Sequence, residues 1–290
     1  MLKETEQELY KIVKMRMNLE HKPIKLHNFY NYLNDGMPNL IIDCRETKND
    51  DLSKEQKNLI GSSDLRNFSF ENFSTQNLAH LMRLILITED NCDIKTNENL
   101  ANLREFIKTS TSIHSIYTIS EENFINFQKR FGFYFLNLNK ASEIEKNVAL
   151  SNFPIMVLDD LLFLGNYMNS KNKYQIDHLG VKTIISLLKE KDEILEKNFE
   201  NVYFFSCDES THGTVKFEEI IECVLEQINE NQIPVLIYCF SGQTISVAVC
   251  IALLMRYKKW SVMFATAYMM KIIPDFKMPA WLNSQLNKFA

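Results

Sequence analysis

The stretch Val235-Leu236-Ile237-Tyr238-Cys239-Phe240-Ser241-Gly242-Gln243-Thr244-Ile245-Ser246 decides how the C-terminal half of the chain is read. An apolar run ends on Cys239, a short polar loop follows, and a second apolar run from Ile245 to Met255 begins directly after it. That order is the pattern of a buried strand, a tight loop and a buried helix. Such a loop aims successive backbone N–H groups into one concavity at the positive end of the helix, which makes a cradle for an anion. A thiol at its base has two readings. It is a nucleophile facing the cradle, or a small buried hydrophobe at a strand end. The residues alone leave both open.

Working outward, strands are predicted over 155–157, 161–164, 183–186, 202–205 and 234–238, with helices over 173–178, 217–229, 244–257, 261–272 and 279–287. The N-terminal half reads as helix 4–17, helix 26–33, strand 39–43, strand 83–88, helix 98–109, strand 113–117 and helix 121–130. Strands that alternate with helices indicate layered α/β domains. The central strands are apolar without alternation, as in sheets covered on both faces. The polar segment 138–152 has no sustained apolar period and is the expected linker, so the division is an N-terminal helix 1–19, a first domain 20–137 and a second domain 153–290.

The 290 residues suit two domains of ordinary size. Apolar residues make up 46% and charged residues 24%, which fits a globular chain, and the 7 Gly and 6 Pro exclude collagen-like repeats. With a net charge of −5 and no basic run longer than Tyr257-Lys258-Lys259, nucleic acid and acidic membrane surfaces are not expected partners. The longest apolar run, Ile245 to Met255, is shorter than the ~20 residues that cross a bilayer. Met1-Leu2-Lys3-Glu4-Thr5-Glu6 is too charged for a signal peptide. The 6 cysteines form no CxxC pair, so no metal, cofactor or disulfide framework is expected, and reduced thiols point to the cytoplasm.

The loop resembles the signature loop of cysteine-dependent tyrosine and dual-specificity phosphatases, His-Cys-x5-Arg-Ser/Thr, with Cys239, Gly242 and Ser246 on matching positions. Leu162-Phe163-Leu164-Gly165-Asn166 is similar to that family's early strand, and His178-Leu179-Gly180-Val181-Lys182-Thr183-Ile184-Ile185-Ser186 to its next one. Ala267-Tyr268 through Pro274 and Gln285-Leu286 resemble its last helices. The resemblance implies an α/β domain with a central, mainly parallel sheet. It also implies a phosphate loop from Phe240 through Ser241, Gly242, Gln243, Thr244 and Ile245 to Ser246, with Cys239 as nucleophile. Asp208 falls in the acid loop, where the family's general acid protonates the leaving oxygen.

Two positions depart from the pattern. The arginine position is Ile245 and the histidine position is Tyr238. A planar guanidinium holds two phosphoryl oxygens, and isoleucine has no donor. Two charge-assisted hydrogen bonds amount to ~3–6 kcal/mol, or ~10²–10⁴ in rate. No other cation lies between 239 and 246. The departures imply a vestigial site and a pseudophosphatase that binds protein partners, with phosphopeptide binding weak at most. Two alternatives stand beside it. One is a weak or partner-dependent phosphatase using Cys239 and Asp208, and the other is a structural component of a cytoskeletal or axonemal assembly.

In the first half, Leu40-Ile41-Ile42-Asp43-Cys44-Arg45-Glu46 resembles the strand end of rhodanese-like domains, Leu59-Ile60-Gly61-Ser62 a following segment, and Ile116-Tyr117-Thr118 through Phe131-Gly132-Phe133 their closing strand and helix. The resemblance implies a three-layer α/β fold. Sulfur transfer is not expected, because Glu89, Asp90 and Asp93 surround Cys92 with negative charge. Rhodanese-like followed by phosphatase-like domains resembles the mitogen-activated kinase phosphatases. Arg66 is the sole arginine in the region matching their kinase-docking cluster. Asp43-Cys44-Arg45 is expected to be a strand-end polar cluster that caps backbone groups.

Overall fold

The computed structural model describes residues 22–35, 37, 39–45, 62–64, 82–90, 100–109, 113–131, 153–210, 213–273, 276 and 278–289. The expected helix 4–17, the segment 138–152, Cys92, Arg66 and the motif residues 59–61 lie outside them. The chain divides into two compact units, Met1–Glu145 and Lys146–Ala290.

The first unit contains β1 (Lys22–Pro23), α1 (Leu26–Asn34), β2 (Asn39–Asp43), β3 (Ser62–Asp64), β4 (Met82–Thr88), α2 (Ala101–Thr109), β5 (Ile113–Ser120) and α3 (Glu121–Arg130). Its sheet runs β1-β5-β4-β2-β3, and every pairing is parallel. β2 and β4 pair in register from Asn39 opposite Arg83 to Asp43 opposite Ile87. Alternation sends Leu40, Ile42, Leu84 and Leu86 to one face. There Leu100, Leu103, Phe106 and Ile107 of the α2 region cover them. Ile41, Ile85 and Ile87 are buried as well, so both faces of the sheet are covered. α1 and α3 lock through rings, with Phe29 against Phe127 at 4.7 Å and Tyr30 against Phe131 at 4.8 Å. α3 starts where Ser120 accepts the Asn123 amide. It carries Glu121 and Glu122 in its first turn and Lys129 and Arg130 in its last, which suits the helix dipole.

The strand-end cluster at Asp43–Arg45 is a closed ion pair. Arg45 Nε donates to Asp43 Oδ1 at 3.0 Å and a terminal nitrogen to Oδ2 at 3.0 Å, while the other terminal nitrogen lies 3.3 Å from Glu121. The guanidinium also lies over Phe124, 5.1 Å from the ring centre.

The second unit contains β6 (Ile155–Leu158), β7 (Leu162–Gly165), α4 (Tyr167–Lys171), α5 (Lys173–His178), β8 (Thr183–Leu187), α6 (Glu193–Asn198) and β9 (Val202–Phe204), then α7 (Phe217–Asn229), β10 (Val235–Cys239), α8 (Ile245–Lys258), α9 (Val262–Ile272) and α10 (Ala280–Phe289). The sheet order is β6-β7-β10-β8-β9, with β6 antiparallel to β7 and the remaining pairs parallel. β10 is central and wholly buried. It is flanked by β7 and β8, so three parallel strands deliver their C-terminal ends to one place, the usual position of a ligand crevice in such sheets. α8 is apolar on all sides, buried continuously from Ile245 to Leu254, and packed by α7, α9 and α10.

Two expectations change. The helical spacing of Met263 and Met269-Met270 points to core packing, and the structure divides them: Met269 is buried, whereas Met263 is 79% and Met270 54% exposed. α9 buries only the face carrying Ala265, Met269 and Ile272. Two short helices, α4 and α6, were not foreseen. Side chains start each of them: Asn166 accepts from the Asn169 amide, and Asp192 from the Ile194 and Leu195 amides.

Candidate active-site loop

Cys239 is the last residue of β10, and the chain turns at once into a loop that ends on α8. The turn depends on Gly242, whose φ is +73° and which lies so close to the end of β7 that a Cβ would stand 3.0 Å from both Gly165 O and Asn166 Cβ. The Tyr167 amide donates to Phe240 O at 3.3 Å, fastening the other limb of the loop to the start of α4. Phe240 itself is 71% exposed and stacks on Tyr167 with ring centres 5.9 Å apart.

The loop residues gather around the thiol. Gly242 N donates to Cys239 Sγ at 3.2 Å, and Ser246 Oγ lies 3.0 Å away from the sulfur. The hydroxyls of Ser241 and Thr244 stand farther off, at 3.8 and 3.9 Å. Gln243 points outward, and its amide donates to Ser241 Oγ at 3.2 Å. Ile245, at the arginine position of the motif, is 0% exposed and packs into the apolar core. Tyr238 is also buried, which pushes its phenol up, and its hydroxyl lies beside those of Ser186 and Ser170.

Asp208 lies in the turn after β9 and lines a cleft of about 460 Å³ together with Tyr167, Lys189, Glu190, Glu209 and Phe240. Its carboxylate is turned into its own loop. Oδ1 accepts the Ser210 hydroxyl at 2.6 Å and the Ser210 amide at 2.9 Å, and Lys189 Nζ stands 3.2 Å from Oδ2. These contacts, the Ser210 hydroxyl first, hold the carboxyl well below the usual carboxylate range. Neighbouring Cys207 is pushed up to about 11, chiefly by burial.

The residue that sequence reasoning missed is Glu209. Its carboxylate accepts a hydrogen bond from the Thr244 hydroxyl and lies 3.5 Å from Ser241 Oγ, so it sits on the signature loop itself. Thr244 directly precedes α8, yet its side chain makes no capping bond to that helix. No pattern in the sequence marks this pairing, because the partners are 32 and 35 residues apart. The loop therefore supplies a thiol, amides and hydroxyls, and the Glu209 carboxylate rests on two of those hydroxyls. Among the described residues no group of three His, Cys, Asp or Glu is placed to hold a metal, and no helix is long and apolar enough to cross a membrane.

Residues 162–290 match the model of the dual specificity phosphatase catalytic domain, so a domain of that type is present. The protein-tyrosine-phosphatase IBR5 of Arabidopsis thaliana is 24% identical over 149 residues, which are 50% of this chain and 54% of that protein. The match thus spans about half the length of that curated relative. Two solved structures are similar. The human tyrosine phosphatase-like serine/threonine/tyrosine-interacting protein is 19% identical, with a TM-score of 0.40 over 48% of this chain and 96% of that one. A leucine rich repeat and phosphatase domain containing protein from Entamoeba histolytica is 19% identical, with a TM-score of 0.40 over 47% of this chain and 89% of that one.

Proposed function

We propose that the phosphatase-type domain has lost turnover and that the protein works by binding protein partners, as a pseudophosphatase preceded by a rhodanese-like domain without sulfur transfer. The observation that carries this reading is Ile245, buried in the core where transition-state stabilisation calls for a guanidinium. The ionised Asp208 supports it from the other side, since a general acid must hold a proton at working pH. For the first unit, support comes from the parallel sheet β1-β5-β4-β2-β3 with covered faces and from the buried Arg45–Asp43 pair at its strand end.

The test is hydrolysis of p-nitrophenyl phosphate by the purified full chain. Turnover should not exceed that of Cys239→Ser. A Cys239-dependent rate within tenfold of an active dual-specificity phosphatase overturns the reading. Ile245→Arg combined with Tyr238→His should restore part of the ~10²–10⁴ in rate that two charge-assisted hydrogen bonds supply.

A further inference from the structure

We propose that Glu209 is the resident anion of the signature loop, a specificity-determining residue that makes the loop refuse oxyanions. This inference rests on reading the loop as a vacated phosphate cradle, and it asks what took the place of the phosphate. Two loop hydroxyls beside the thiol, those of Ser241 and Thr244, lie within hydrogen-bond reach of one oxygen of the Glu209 carboxylate, Ser241 at 3.5 Å. Ser241 and Thr244 are also 3.3 Å from each other, so the carboxylate meets a paired set of donors rather than a single stray hydroxyl. Thr244 makes the point independently. A threonine in front of a helix ordinarily turns its oxygen to the free amides of the first turn, and this one gives that role up.

The carboxylate is also in a favourable field. α8 runs for 14 residues from Ile245, and a negative group in front of its first turn is stabilised by the unpaired amides there. The turn that carries Glu209 is closed around it, because Asp208 before it accepts the amide and hydroxyl of Ser210 after it and pairs with Lys189. Asp208 thus acts as a positioning residue for its neighbour. A phosphate dianion entering the loop would have to displace this carboxylate or sit against it, with no cation between 239 and 246 to offset the repulsion. The missing guanidinium bears on turnover. The resident carboxylate adds a separate barrier, against binding.

The experiment measures tungstate binding to the full chain by isothermal titration calorimetry, with wild type, Glu209→Ala, Glu209→Gln and Glu190→Ala. Glu190 lines the same cleft and carries the same charge. Glu209→Ala should bind tungstate about tenfold or more tighter than wild type, the change expected when a charged hydrogen-bond partner is removed. Glu190→Ala should change it less than about twofold, since exposed charges are screened. Equal gains in the two alanine variants would reduce the effect to general charge and overturn the proposal, as would wild-type affinity equal to that of Glu209→Ala. If the alanine variant does not fold, Glu209→Gln keeps the side-chain volume and carries the same test, with unchanged affinity overturning the proposal. The outcome is separable from that of the pseudophosphatase reading. Cys239-dependent turnover within tenfold of an active dual-specificity phosphatase sinks that reading whatever tungstate does, and an unresponsive Glu209→Ala sinks this one while turnover stays absent.

Discussion

At the end of β2, Arg45 folds back onto both oxygens of Asp43 and reaches Glu121. At the end of β10, the segment 239–246 carries no cation of its own, and the Glu209 carboxylate rests on the hydroxyls of Ser241 and Thr244. Both are polar ends of strands that pair in parallel with their neighbours, the usual place for chemistry. In the first, opposite charges meet out of water, with the Arg45 side chain 0% exposed. In the second, one charge meets neutral donors at the rim of an open cleft. A buried ion pair is costly to break from one side, because the survivor keeps its charge without its partner. A carboxylate on hydroxyls can leave into water. The difference separates a contact that holds a unit together from one that decides what a site admits.

The largest expected effect lies in the first of these regions. Arg45→Met removes the guanidinium from the buried Asp43 carboxylate and should lower stability by about 3–5 kcal/mol in urea unfolding of the full chain. Asp43→Asn in addition should recover part of it. A loss below about 1 kcal/mol would put the two strand ends on the same footing. Next comes Gly242→Ala, which forces a side chain into φ +73° and against Gly165 O. It should cost about 1–3 kcal/mol, read the same way. A neutral result would show that the loop is not held against β7.

The smallest effect is expected at Asp208. Its folded pKa is depressed, so its stabilising contacts are complete at neutral pH. They are lost only as pH falls below the ordinary carboxylate value of about 3.9 and through the folded one. Between pH 5 and 8 it stays ionised, and Asp208→Asn should change any residual aryl phosphate hydrolysis by less than about twofold, against the ~10²–10⁴ of a working general acid. A larger loss, with an alkaline limb in the wild-type profile, would mark Asp208 as a proton donor after all.

Much of this was legible in the residues. Helices 121–130, 173–178 and 217–229 and strand 39–43 stand at their expected bounds, because continuous or periodic apolar patterning and polar ends agree there. The strand, loop and helix around Cys239 follow from the switch between apolar and polar runs. The short helices at 167–171 and 193–198 escaped because each is held by a capping side chain rather than by an apolar stripe. Met263 and Met270 were misplaced because spacing identifies a helix face without saying what covers it. Glu209 was invisible for a different reason. Its partners belong to another element, and only folding brings them together.

The close fit of Gly242 against Gly165 and Asn166, with the Tyr167 amide on Phe240 O, fixes the path of the loop through backbone and glycine alone. None of those contacts involves residues 209, 241, 244 or 245. Route and tenant are therefore encoded at different positions, so a lineage can exchange the guest of this turn by point substitution without redesigning the bend that houses it.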